Sequence, residues 1–256
     1  MSKEQQYVLS KVPEVTFIFW LTKILATTLG ETGGDMLSMS MNLGYLLSTG
    51  IFVVIFAVAV TIQVSTKKFH QVIYWITIVA TTTVGTTLAD FADRSLHIGY
   101  GGGTMILLIL LLASLAAWKN FLGSVAVDTV NSPKSEVFYW VTIMCSQTLG
   151  TALGDWTADT EGVGYGGGIF LFGGILAVIT VFYFFTKISR TILFWSAFIL
   201  TRPLGAVLGD FMDKPRSNGG LEMNRYAASA ALVLLMVFFI FVFSRKPAKH
   251  LNSQNN

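Results

Sequence analysis

Four tryptophans punctuate the 256-residue chain: Trp20, Trp75, Trp140 and Trp195, at spacings of 55, 65 and 55 residues. Ten residues after each comes a glycine (Gly30, Gly85, Gly150, Gly205), and five further on an aspartate (Asp35, Asp90, Asp155, Asp210). An aromatic residue precedes every tryptophan: Phe19, Tyr74, Tyr139 and Phe194. The strings leading to the aspartates read TTLGETGGD, TTVGTTLAD, QTLGTALGD and RPLGAVLGD. The segments that follow also recur, with GYGGG at 99–103 and 164–168, Gly44-Tyr45 in the first unit and Gly219-Gly220 in the fourth. Self-similarity on this scale fixes the architecture before any local signal does, because one supersecondary unit must occur four times. The units run about 12–66, 67–122, 132–188 and 189–245.

Each unit has room for two long apolar helices. Hydrophobic residues make up 53% of the chain and charged residues 12%, with mean hydropathy +0.64; a soluble domain carries about 25% charge. No stretch has the composition of a sizeable soluble domain. A membrane helix needs about 20 mostly apolar residues. Segments near 13–35, 43–65, 69–90, 102–121, 137–155, 167–188, 191–210 and 226–244 meet or approach that length. Three runs, 69–89, 137–154 and 226–244, hold no Asp, Glu, Lys or Arg, whereas Lys23 and Arg202 interrupt the first and seventh spans. The runs do not alternate as barrel strands would, so the expected fold is all-α: one polytopic membrane domain of about eight transmembrane helices. Two crossings per unit return the chain to its starting side, which makes the four repeats parallel. The first helix of each unit (A) carries the motif; the second (B) is plainer.

Lys and Arg in short loops set the orientation. One side collects Lys3, Lys11, Lys67, Lys68, Lys119, Lys134, Lys187, Arg190, Arg245, Lys246 and Lys249; the other has Arg94, Lys214, Arg216 and Arg225. That bias predicts that both termini are cytoplasmic. Residues 1–14 mix charged and polar residues and lack a cleavable signal peptide. The single Cys145 excludes a disulfide within the chain and any CxxC site.

The W-x9-G-x4-D pattern resembles that of a family of bacterial membrane proteins built from four tandem repeats of unknown function. Each repeat of that family has two transmembrane segments and a characteristic tryptophan, matched here by Trp20, Trp75, Trp140 and Trp195 over roughly residues 12–244. The resemblance implies architecture and no activity.

Activity must be read from side chains. Residues seven, eleven and fifteen after each tryptophan lie four apart and share one helix face. They are Thr27, Glu31 and Asp35; Thr82, Thr86 and Asp90; Gln147, Thr151 and Asp155; and Arg202, Ala206 and Asp210. Lys23 extends the first stripe by one turn. A charge in the membrane centre costs roughly 2.5–3.5 kcal/mol on insertion scales, so the stripes should turn toward one another. The aspartates are placed near helix C-termini, where the macrodipole disfavours an acid, and so call for cations or hydrogen-bond donors. Further acids follow at Asp93, Asp159, Glu161, Asp213 and Glu222. If all are ionised, the stripe residues, with Lys23, carry five negative and two positive charges, an excess that favours a cation.

The three histidines, His70, His97 and His250, fall in loops or the tail, which excludes bis-His haem ligation, and no HExxH, P-loop or GxSxG occurs. The sequence therefore predicts no enzyme and no cofactor. The GYGGG segments read as tight re-entry turns before the B helices. The expected function is a small transporter or channel-like protein for a divalent metal or a proton-coupled cation. Asp35, Asp90, Asp155 and Asp210 would be the metal ligands, with Glu31, assisted by Thr27, Thr82, Thr86, Gln147 and Thr151. Lys23 and Arg202 would pair with acids, and Glu31 with Lys23 would couple protons or gate. Two alternatives stand: a transporter that holds small organic anions with Lys23 and Arg202, and a scaffold whose stripes only lock helices together. Expected partners are the bilayer and a small cation or proton, with no nucleic acid; a homo-oligomer is possible.

Overall fold

The computed structural model describes residues 7–160, 162–243 and 246–251. Lys3, Arg245 and Glu161, used above, lie outside the described residues. Eight α-helices follow in order: α1 (Phe17–Asp35), α2 (Gly44–Ser65), α3 (Gln71–Asp90), α4 (Tyr100–Leu122), α5 (Pro133–Asp159), α6 (Gly164–Phe185), α7 (Arg190–Asp213) and α8 (Arg225–Val242). Their starts are written locally. Thr16 caps α1 by accepting from the Phe19 amide, and Ser132 with Ser135 forms a capping box ahead of Pro133 in α5. Asn224 accepts from the Tyr226 and Ala227 amides to start α8.

The four A helices close into a ring: α1 packs on α3, α3 on α5, α5 on α7, and α7 back on α1. Two recurrent contacts explain why. The aromatic before each tryptophan meets the tryptophan of the next repeat, with ring centroids 5.6 Å apart for Phe19–Trp75, 5.7 Å for Tyr74–Trp140, 6.3 Å for Tyr139–Trp195 and 5.7 Å for Phe194–Trp20. Each motif glycine likewise abuts the seventh-position residue of the next repeat: Gly30 against Thr82, Gly85 against Gln147, Gly150 against Arg202 and Gly205 against Thr27. A Cβ at any of the four would overlap that neighbour, so the glycine lets two helix backbones approach. Trp75, Trp140 and Trp195 are buried, which makes them packing anchors of the ring.

The B helices stand outside. Each crosses to the following repeat, α2 onto α3, α4 onto α5, α6 onto α7 and α8 onto α1, so the last repeat closes the circle. Among the described residues, six helices, four B helices with α3 and α7, are long and apolar enough to cross a membrane; the B helices are mostly exposed and α3 and α7 mostly buried. The more polar α1 and α5 complete the ring with α3 and α7, and the four B helices stand around it.

Three local features differ from expectation. The GYGGG segments are largely the first turns of α4 and α6, and only their leading glycines, Gly99 and Gly164, take the positive φ of a turn. The chain stays helical beyond each motif aspartate, as a π-helical turn after Asp35 and Asp90 and as continued α-helix after Asp155 and Asp210. The terminal segments, outside the expected helices, pair as β1 (Tyr7–Pro13) and β2 (Pro247–Leu251) in an antiparallel ribbon. It covers the tryptophan end of the ring. Val12 joins the aromatic core there, and Lys11 Nζ donates to Gln63 O (2.6 Å) while pairing with Glu136 (2.6 Å).

Candidate functional site

Because the four A helices repeat the same contacts, equivalent residues fall into tiers about 6 Å apart along the ring axis. From the tryptophan end, the third-position tier holds Lys23, Ile78, Ile143 and Phe198. The seventh holds Thr27, Thr82, Gln147 and Arg202; the eleventh Glu31, Thr86, Thr151 and Ala206; the fifteenth the four aspartates. All are buried. The stripes turn inward, as the cost of burying charge requires.

Arg202 ties the middle together. Its Nη2 donates to Glu31 Oε2 (2.9 Å), Thr86 Oγ1 (2.6 Å) and Thr151 Oγ1 (2.5 Å), so one nitrogen engages the three other helices of the ring. This corrects two expectations. Glu31 pairs with Arg202 and not with Lys23, and the Thr86 and Thr151 hydroxyls accept from a guanidinium where they were assigned to a cation. Thr27 donates to the Thr201 carbonyl (3.3 Å) and to its own helix. Among the described residues, Thr82 Oγ1 and both amide atoms of Gln147 have no hydrogen-bond partner.

The outer tier is bridged in two halves. Lys214 Nζ binds Asp35 and lies 3.0 Å from Asp210; Arg225 Nε donates to Asp213 (2.7 Å) and lies 3.9 Å from Asp35. Arg94 holds Asp90 (2.9 Å) and reaches Asp155 (3.7 Å). Burial alone would push the Lys214 ammonium down, but Asp210, Asp35 and Asp213 outweigh it and hold it well above the usual lysine range. The counter-charges that the aspartates require are therefore present, in Lys214, Arg225 and Arg94, which lie beyond the apolar spans. Spacing could have found two of them, since Arg94 and Lys214 stand four residues after Asp90 and Asp210. The charge balance changes with them. Counted with every group ionised, Glu31, Asp35, Asp90, Asp155, Asp210 and Asp213 face Lys23, Arg94, Arg202, Lys214 and Arg225, a formal acidic excess of one.

The bridges leave carboxylate oxygens over. Asp35 Oδ1, Asp90 Oδ2 and Asp155 Oδ1 are buried with no hydrogen-bond partner among the described residues. Glu31, Asp35 and Asp210 each offer a carboxylate oxygen, and the three lie within 4.8 Å of one another, a separation one metal ion can span. Of the further acids, Asp159 accepts from the Tyr100 hydroxyl and Asp213 from Arg225.

No curated protein and no solved structure shows significant similarity to the chain. A family model described as a Repeat of Unknown Function (DUF347) matches it four times, at residues 18–69, 73–121, 138–189 and 193–247. One match falls on each ring-forming helix pair, and the chain belongs to this DUF347 repeat family.

Proposed function

We propose that the chain is a multi-pass protein of a bacterial cytoplasmic membrane, with both termini in the cytoplasm, that carries a small cation along the axis of its A-helix ring. The cation is a divalent metal or a proton, and neither enzymatic chemistry nor a cofactor is involved. The observation that carries the reading is the set of buried carboxylate oxygens left over in the outer tier, at Asp35, Asp90 and Asp155. Leaving a buried acceptor unsatisfied costs about 1–3 kcal/mol, more for a charged group. A hard cation or a proton relieves that cost, and oxygen ligands suit Mg²⁺ or Mn²⁺. Lys214 and Arg94 then act as tethered counter-ions that hold the tier together and yield when a cation enters.

Membrane embedding is supported by the exposed apolar faces of the B helices. The ring closes within one chain, so the axis needs no second copy. The aromatic tier and the β1–β2 ribbon cover its tryptophan end, and Arg202 crosses its middle, so passage requires these to move.

Cation uptake into proteoliposomes tests the reading. Purified protein should accelerate Mn²⁺ or proton flux over empty vesicles, and Asp155→Asn should slow it. No flux above empty vesicles would favour the scaffold reading, which the Lys214 and Arg94 bridges also fit. For orientation, a cysteine replacing exposed Ser95 in a Cys145→Ser background should label from outside intact cells; labelling only after permeabilisation would reverse it.

A further inference from the structure

Lys23 is fully buried, at 0% exposure, and its ammonium has no hydrogen-bond or carboxylate partner among the described residues. Its one compensation is the face of Phe198, 3.9 Å from Nζ. The remaining side chains of its tier, Ile78 and Ile143, are apolar and fully buried. One turn away, Arg202 has given Nη2 to Glu31, Thr86 and Thr151, while Nε and Nη1 have no partner. The same tier presents the unpartnered Gln147 amide and Thr82 hydroxyl. Among the described residues, unpartnered donors outnumber acceptors here, and the acid of the next tier, Glu31, is already engaged by Arg202.

A lone buried ammonium is strongly unfavourable, and a cation–π contact offsets only about 2 kcal/mol even when desolvated. Shedding the lysine proton is one relief; a cation is not, because Lys23 and Arg202 repel it. A small anion is another: it supplies the missing charge and accepts from several of these donors together. We infer that the third- and seventh-position tiers form a binding site for a small monovalent anion, a halide or a compact oxyanion. Lys23 supplies the charge; Arg202, Gln147 and Thr82 supply the directional donors. The site lies on the far side of the Glu31–Arg202 pair from the aspartates. It does not depend on the transport reading, since it is a statement about binding alone.

Thermal unfolding of the purified full-length protein tests it. Sodium bromide, nitrate or formate is titrated against sodium gluconate at constant ionic strength. The expected result is a saturable rise in melting temperature with at least one of the small anions and none with gluconate; the responding ion separates a halide from an oxyanion or carboxylate. Lys23→Met should fold and abolish the response, since no acid loses a partner. Gln147→Leu should weaken the half-saturation concentration by about tenfold, the loss of one hydrogen bond to a charged group. No small anion shifting the wild type beyond gluconate would overturn the site. So would a Lys23→Met protein that responds like wild type. Should that variant not fold, an unchanged half-saturation in Gln147→Leu decides against it.

Discussion

The outer and the deep tiers of the ring hold charge in opposite ways. In the outer tier every motif aspartate reaches a cation, Lys214 or Arg94, yet carboxylate oxygens remain over. In the deep tier Lys23 reaches no acid among the described residues, and the surplus lies in donors. One axis thus carries acceptors in excess at one end and donors in excess at the other, with Glu31–Arg202 between them. The difference shows what the recurrent and the unique residues each do. Residues that recur in all four repeats build the ring and the acidic tier; Lys23, Glu31, Gln147 and Arg202, which break the repeat, set the polarity along its axis.

The sharpest contrast is between the two buried cations. Arg202→Met strips the partner from buried Glu31 and should cost about 3–5 kcal/mol. Adding Glu31→Gln should restore most of it, whereas Lys23→Met alone should cost little or even stabilise. Melting curves of the four proteins decide this, and equal losses in the two single variants would erase the distinction between tiers. Lys214→Met, in the outer tier, should cost about 1–3 kcal/mol by unbridging Asp35 and Asp210. A neutral result would mean the bridge is unimportant for stability. The shared frame is probed by glycines. Gly205→Ala forces a Cβ into Thr27 and should cost about 1–3 kcal/mol. Gly50→Ala in α2, where nothing lies within 4 Å, should be silent. A loss of about 1 kcal/mol is expected for Tyr74→Phe, which removes the 2.6 Å hydroxyl contact with Tyr139 at the closed end.

Much of this was legible in the sequence because the repeat is both periodic and steric. Trp, Gly and Asp at fixed offsets gave the eight helices, their pairing into units and the inward stripes. Spans of apolar residues placed the helix ends within a few residues. The tail ribbon escaped because β1 is a mixed segment whose partner lies over 230 residues away, and no local pattern links them. The pairing of the charges escaped for a related reason. Which acid Arg202 meets depends on which helix neighbours α7 across the ring, and the closure of α7 onto α1 is a tertiary fact. Lys214 and Arg94 were discounted because an apolar-span reading ends at the last apolar residue, while the helices or their caps continue past the aspartates.

The central claim is that the outer carboxylates are there for a cation as well as for their own bridges. Mn²⁺ binding isotherms, with melting temperatures measured alongside, test it most directly in wild type, Asp35→Asn and Asp155→Asn. Asn preserves size and much of the hydrogen bonding and removes the charge. Losing one charged ligand should cost about 1.5–3 kcal/mol of binding, one to two decades in affinity. The account predicts that loss with melting temperatures close to wild type. Unchanged Mn²⁺ binding in both variants, with stability lost in each, would contradict it and leave the acidic tier as a device for holding helices together.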